Sequence, residues 1–83
     1  MAHSQKVRRL FPRPATAIVT GNVRAEMARK RISQALVADR LRLTQQAVSN
    51  RLNGRVPFDV DEIVAVAELL EVDPAALLHR SAS

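Results

Sequence analysis

The sequence predicts an all-α fold, a compact domain of five short helices preceded by a basic N-terminal arm. Apolar residues recur at spacings of three and four from residue 23 onward, which is the period of an amphipathic helix. Helix-capping residues divide these apolar runs into short segments. No segment alternates apolar and polar residues as a half-buried strand would.

Composition limits the fold to one domain and excludes several kinds of site. The chain has 83 residues, of which 47% are hydrophobic, and its two aromatic residues are Phe11 and Phe58. Ala, Val, Leu and Ile must therefore build the core. Because the chain has no cysteine and its two histidines lack metal-ligand spacing, we expect neither a metal nor a cofactor. No nucleophile-with-base pattern or glycine-rich phosphate loop is present, so we do not expect an enzyme.

The chain also lacks the sequence features of an exported or membrane-bound protein. Its start has no apolar signal segment, and no apolar run approaches the length of a membrane span. We therefore expect a cytoplasmic protein of a bacterial host cell that binds neither a membrane nor a small-molecule ligand.

The charge balance favours a polyanionic partner. The net charge is +5, and the chain has eleven arginines and two lysines. Arginine forks suit phosphate groups, although a GC-rich genome would produce the same bias, and either origin leaves a basic surface. Residues 1–15 are predicted to form a flexible basic arm, followed by a helical domain over 16–80. The basic side chains of the arm are Lys6, Arg8, Arg9 and Arg13.

The first two helices are predicted from their periodicity and from one start signal. The first helix is expected over about 20–31, with an earlier start near Thr16 left open. Ser33 is a good N-cap for a second helix at about 34–41.

The third helix has a signal at each end. Thr44 is its N-cap, and the helix is expected over about 45–53. Gly54 ends it, because glycine readily adopts the left-handed conformation after a helix. Two short helices joined by a tight turn have the outline of a helix-turn-helix.

The last two helices also begin at recognisable caps. Asp59 followed three residues later by Glu62 is a capping-box pattern for a fourth helix. The buried stripe of that helix is expected to consist of Ile63, Val66, Ala67 and Leu70. Asp73 followed by Pro74 repeats the start signal for a short fifth helix at about 74–79.

The outer face of the third helix is polar but uncharged. Steps of ~100° per residue place four polar side chains within one arc of about 100°. They are Gln46, Ser49, Asn50 and Asn53. Val48 and Leu52 fall on the opposite side. An amide offers a donor beside an acceptor, which matches the edge of an adenine in the major groove of DNA. The alternative interpretation is that this neutral face has no partner.

Other residues are candidates for contacts with the DNA backbone. Gln34, first in the second helix, can bond a phosphate or serve simply as a helix-start residue. Arg51, Asn53 and Arg55 surround the end of the third helix, and Thr44 completes this set. Arg51 has an alternative role, covering the core with its stem. The arm either contacts DNA or is a solubilising tail.

These residues resemble a known family. Ile32–Ala38 and Leu43–Arg55 look like the Cro/CI-type (lambda-repressor-like, XRE) helix-turn-helix, and Val48–Arg55 is similar to a variant associated with actinobacteria and their phages. Leu69–Leu78 resembles the closing helices of the family. The resemblance covers about 20–78 and implies a five-helix fold with the third helix in the major groove. It also implies a phosphate-binding role for Gln34 and base contacts from Gln45, Gln46, Ser49 and Asn50.

The sequence departs from the family pattern at four positions. Arg31, Arg42 and Glu71 stand where the family commonly has glycine at helix ends, so we expect strain or different capping there. Leu52 replaces an acidic residue common near the end of the third helix, so that buried polar link is expected to be absent.

The residues and the resemblance together predict a sequence-specific transcriptional regulator that binds a double-stranded DNA operator. A phage repressor and a Cro-like protein both fit, and so do a monomer, a homodimer and a dimer formed only on DNA. An antitoxin or antirepressor is an alternative that predicts a large exposed apolar patch. A DNA-architectural or excision factor is another, but it would tolerate varied sequences.

Overall fold

The computed structural model describes residues 14–80, which form five α-helices and no strand. The helices are α1 (Pro14–Lys30), α2 (Gln34–Leu41), α3 (Gln45–Leu52), α4 (Val60–Leu70) and α5 (Pro74–Leu78). The all-α, five-helix prediction is confirmed. The basic side chains predicted in the arm, Lys6, Arg8, Arg9 and Arg13, lie outside the described residues.

The start of α1 differs from the sequence-based expectation. The helix already includes Pro14, a residue that suits the first turn because it has no N–H to leave unpaired. Thr16, Thr20 and Gly21 are weak helix formers, so intrinsic propensity does not favour a helix start this early. Burial of Val19, which is 4% exposed, supports the first turns against that preference. Tertiary packing thus decides this boundary.

The helix starts follow the predicted capping chemistry. The Ser33 and Thr44 hydroxyls accept the backbone N–H three residues ahead, at 3.1 and 3.0 Å. At the start of α4, the Asp59 side chain accepts the Glu62 N–H at 2.7 Å and the Glu62 carboxylate accepts the Asp59 N–H at 3.1 Å. This reciprocal pair is the capping box expected from the sequence.

Three helices end at non-glycine residues in the left-handed conformation. Arg31 and Arg42 both have φ of 58°, and Glu71 has φ of 60°. The next residue in each case is apolar and half-buried, and its N–H bonds the carbonyl five residues back at 2.9 to 3.0 Å. Those residues are Ile32, Leu43 and Val72. The expected strain is present, because a side chain in this conformation costs roughly 1–2 kcal/mol.

One apolar core joins all five helices and the loop before α4. It contains Phe58 from the loop and eleven aliphatic residues from the helices. The helical members are Val19, Val23, Met27, Val37, Ala38, Val48, Leu52, Val66, Ala67, Leu70 and Leu77. Leu52 is 4% exposed and packs within this core, as expected for the position where the buried polar link is absent.

Polar side chains of α1 bond the C-terminal carbonyls of three other helices. The Asn22 amide donates to Leu77 near the end of α5 at 2.9 Å, and Arg24 Nη1 donates to the Leu52 carbonyl of α3 at 3.2 Å. Lys30 Nζ donates to the last carbonyl of α4. Helix C-termini leave such carbonyls unpaired and favour nearby cations, so α1 fixes the ends of α3, α4 and α5.

Candidate nucleic-acid interface

The turn between α2 and α3 is short and sharply defined. Arg42 in the left-handed conformation ends α2, and Thr44 caps α3 two residues later. Each of the two helices has eight residues. Val48 is fully buried and Leu52 nearly so, and the opposite side of α3 therefore faces outward.

The structure brings the four predicted base-contact residues to the exposed part of α3. Gln45 and Gln46 are exposed, while Ser49 and Asn50 are half-buried. Gln46 Nε2 donates to Asn50 Oδ1 at 3.3 Å, across one turn of the helix. This long contact lies in an exposed setting, where net stabilisation by a hydrogen bond is small. The amide groups of Gln46 and Asn50 can therefore give up this hydrogen bond and bond a ligand instead.

The predicted phosphate contacts are exposed residues near the ends of α2 and α3, with one exception. Gln34 is exposed at the start of α2 and borders a groove of about 460 Å³ that Arg24 and Leu52 also line. Asn53, at the C-terminal end of α3, and Arg55 in the following loop are both exposed. The Thr44 hydroxyl is already used as the α3 cap.

The exception is Arg51, whose guanidinium is held within the protein. Its Nε and Nη2 donate to the two carboxylate oxygens of Glu62 at 2.8 and 3.1 Å, and Nη1 donates to the Ala47 carbonyl at 3.1 Å. The Arg51 and Glu62 side chains are only 16% and 14% exposed. The hydrogen bonds to Glu62 raise the pKa of Arg51 above its ordinary value, although burial opposes this. Arg51 is a cation at every physiological pH.

The Arg51–Glu62 pair and the α1 side chains are functional candidates that the sequence reasoning missed. Arg24 and Lys30 are exposed residues whose head groups also donate to the last carbonyls of α3 and α4. Glu62 was assigned only to the α4 cap, although it also binds Arg51. The opposite charges were a signal, but no local rule pairs residues on different helices.

Charge is unequally distributed along the chain. Residues 24–55, which include α2 and α3, hold eight basic and two acidic side chains. Residues 59–80 hold six acidic side chains and one basic side chain. The stretch from the second half of α1 to the loop after α3 is therefore the basic part of the chain that the structure describes, and α4 and α5 are the acidic part.

Residues 14–80 contain no cluster of side chains suited to hold a metal ion. Within the same range, every helix is too short or too polar to cross a membrane.

Comparison with known proteins identifies the arrangement. A family model described as helix-turn-helix matches residues 23–77, which is more than half of the chain and extends from α1 to α5. No curated protein and no solved structure matches the chain significantly.

Proposed function

Because the chain belongs to the Cro/CI-type (XRE) helix-turn-helix family, whose domains bind DNA, we propose that it is a sequence-specific transcriptional regulator. In this proposal α3 enters the major groove of an operator, as a recognition helix does. The observation that carries the proposal is the outward, uncharged face of α3 within the basic part of the chain.

Base reading is assigned to Gln45 at the start of α3 and to three side chains on that face, Gln46, Ser49 and Asn50. An amide that donates and accepts at one base edge discriminates by about 1–3 kcal/mol against the wrong base. Gln46 and Asn50 lie one turn apart and within hydrogen-bond distance. They can therefore read neighbouring base pairs as a unit.

Backbone binding is assigned to residues around the α3 face: Gln34, Thr44, Asn53 and Arg55. Arg51 joins them only if it leaves Glu62. The basic residues of the arm, Lys6, Arg8, Arg9 and Arg13, add further phosphate contacts. Such contacts fix position and add salt dependence, but they carry no sequence information.

The regulatory role that we propose is that of a phage-type repressor or Cro-like protein acting as a homodimer. A two-fold dimer would bind half-sites about one helical turn apart. Val60 and Val64, one turn apart on α4, are 75% and 40% exposed and offer an apolar contact between two copies. Sedimentation with and without operator tests whether this dimer forms in solution or on DNA.

Selection of bound duplexes from a random pool tests the proposed function. We expect a consensus sequence that binds at least about 10³-fold more tightly than random duplex. A pool that shows no enrichment after repeated selection contradicts sequence-specific regulation and favours an architectural role.

A further inference from the structure

We propose that Glu62 keeps Arg51 away from the DNA backbone and thereby raises the sequence selectivity of α3. This inference rests on the proposed function, because it concerns how the same helix discriminates between duplexes. Glu62 touches no base in this account. It is a positioning and specificity-determining residue that acts through Arg51.

Arg51 is the single charged residue of α3, and three of its five N–H donors are bonded within the protein. Nε and Nη2 bond both oxygens of Glu62, and Nη1 bonds the Ala47 carbonyl of its own helix. A forked pair of this kind fixes orientation as well as charge. With its side chain 16% exposed, Arg51 presents little of its guanidinium to an approaching phosphate.

Glu62 is itself fixed and cannot follow Arg51 to a ligand. Its Oε1 accepts the Asp59 N–H at 3.1 Å as part of the capping box at the start of α4. The carboxylate thus holds two groups in place, a helix start and the cation of α3. A phosphate contact through the Nε–Nη2 edge of Arg51 therefore requires the forked pair to break.

A charged side chain and a neutral amide differ in how they respond to DNA sequence. A free arginine on α3 would bind any phosphate and would strengthen binding to every duplex alike. Neutral amides gain only where the base edge matches them. By pairing with Arg51, Glu62 removes a contribution of α3 to binding that would be the same for every DNA sequence. The contribution that depends on the sequence remains.

The test is the Glu62→Gln variant, with Asp61→Asn as its matched control. Glutamine can still complete a capping box, but it removes the negative charge that holds Arg51. Asp61 is the exposed neighbouring acid, so its replacement changes net charge equally and leaves Arg51 paired. The measurement is affinity for a random-sequence duplex pool as a function of salt.

We expect the Glu62→Gln plot of log affinity against log salt to be steeper than that of Asp61→Asn by about 0.9, the value for one added phosphate contact. The ratio of affinities for selected and random duplex should fall in Glu62→Gln alone. Adding Arg51→Gln to Glu62→Gln should remove the extra slope. Thermal unfolding of each variant verifies its fold.

Equal slopes for Glu62→Gln and Asp61→Asn would overturn the inference. If Glu62→Gln does not fold, Arg51→Gln alone takes its place, because a guanidinium that stays paired with Glu62 adds no phosphate contact and its loss should leave the slope unchanged. A shallower slope for Arg51→Gln would overturn the inference equally. Failure of the proposed function gives a different result from failure of this inference. In that case the wild-type protein would show no preference for any duplex sequence, whatever the salt slopes of the variants.

Discussion

The Arg24 guanidinium donates a hydrogen bond of 3.2 Å to the carbonyl of Leu52, the last residue of α3. A cation at this helix end interacts favourably with the helix dipole and satisfies an otherwise unpaired carbonyl. The candidate recognition helix is therefore held by α1 at its end and by Glu62 of α4 through Arg51. Its orientation depends on residues that do not belong to the helix-turn-helix itself.

Replacing Arg24 by glutamine should lower the free energy of unfolding by about 1 kcal/mol, because the Leu52 carbonyl loses its charged donor. Arg29→Gln is the matched control, since Arg29 lies on the same helix in an exposed pair with Glu26. That pair should contribute less than about 0.5 kcal/mol. Chemical denaturation of both variants measures the difference, and equal losses would contradict a capping role for Arg24.

The Asn22 side chain should contribute more to the free energy of unfolding than its place among the polar residues of α1 suggests. Its amide donates to the carbonyls of Leu77 and His79 at 2.9 and 2.7 Å, so Asn22→Ala should lower the free energy of unfolding by about 1–2 kcal/mol. Asn53→Ala is the control, because the exposed Asn53 amide makes only a 3.4 Å bond to Ser49. A loss in Asn22→Ala no larger than in this control would show that the bonds to α5 are dispensable.

Relieving one left-handed helix end should stabilise the protein. Arg42 has φ of 58°, so Arg42→Gly should raise the free energy of unfolding by about 0.5–1 kcal/mol. Arg40→Gly, two residues earlier within α2, should instead lower it by about 1 kcal/mol, since glycine is a poor helix former. Changes of the same sign in the two variants, measured by denaturant unfolding, would contradict this explanation.

The contribution of the Arg51 charge to stability should be independent of pH near neutrality. Its pKa is raised in the folded state, so the linked stability is fully present below the unfolded-state pKa and is lost only as the pH rises through the folded-state pKa. Both values lie far above neutrality. The difference in unfolding free energy between wild type and Arg51→Gln should therefore stay constant from about pH 6 to about pH 9. A difference that shrinks within this range would contradict the assignment.

The parts of the fold that sequence predicts are those set by local chemistry. Ser33, Thr44 and the Asp59–Glu62 box each act on groups within three residues. Gly54, with φ of 78°, likewise ends α3 by a local rule. For this reason α2 lies at the expected residues, and α3 ends within one residue of its expected end.

The contacts that sequence does not predict join residues distant in the chain. Asn22 and Leu77 are 55 positions apart, and Arg51 and Glu62 belong to different helices. Periodicity assigns such polar residues to an exposed face, and it cannot say that a carbonyl or a carboxylate of another helix lies within reach. Arg51 shows the consequence, because its expected phosphate contact competes with a partner visible only in the structure.

The most direct test of base reading by α3 is the affinity of Gln46→Ala and Asn50→Ala for selected and for random duplex, with Gln34→Ala as the control. Removing either amide of α3 should cost about 1–3 kcal/mol on the selected duplex and little on random duplex, because only the base contact is lost. Gln34→Ala, at an assigned phosphate contact, should weaken binding to both duplexes alike. Equal losses on the two duplexes for Gln46→Ala and Asn50→Ala would contradict base reading by α3.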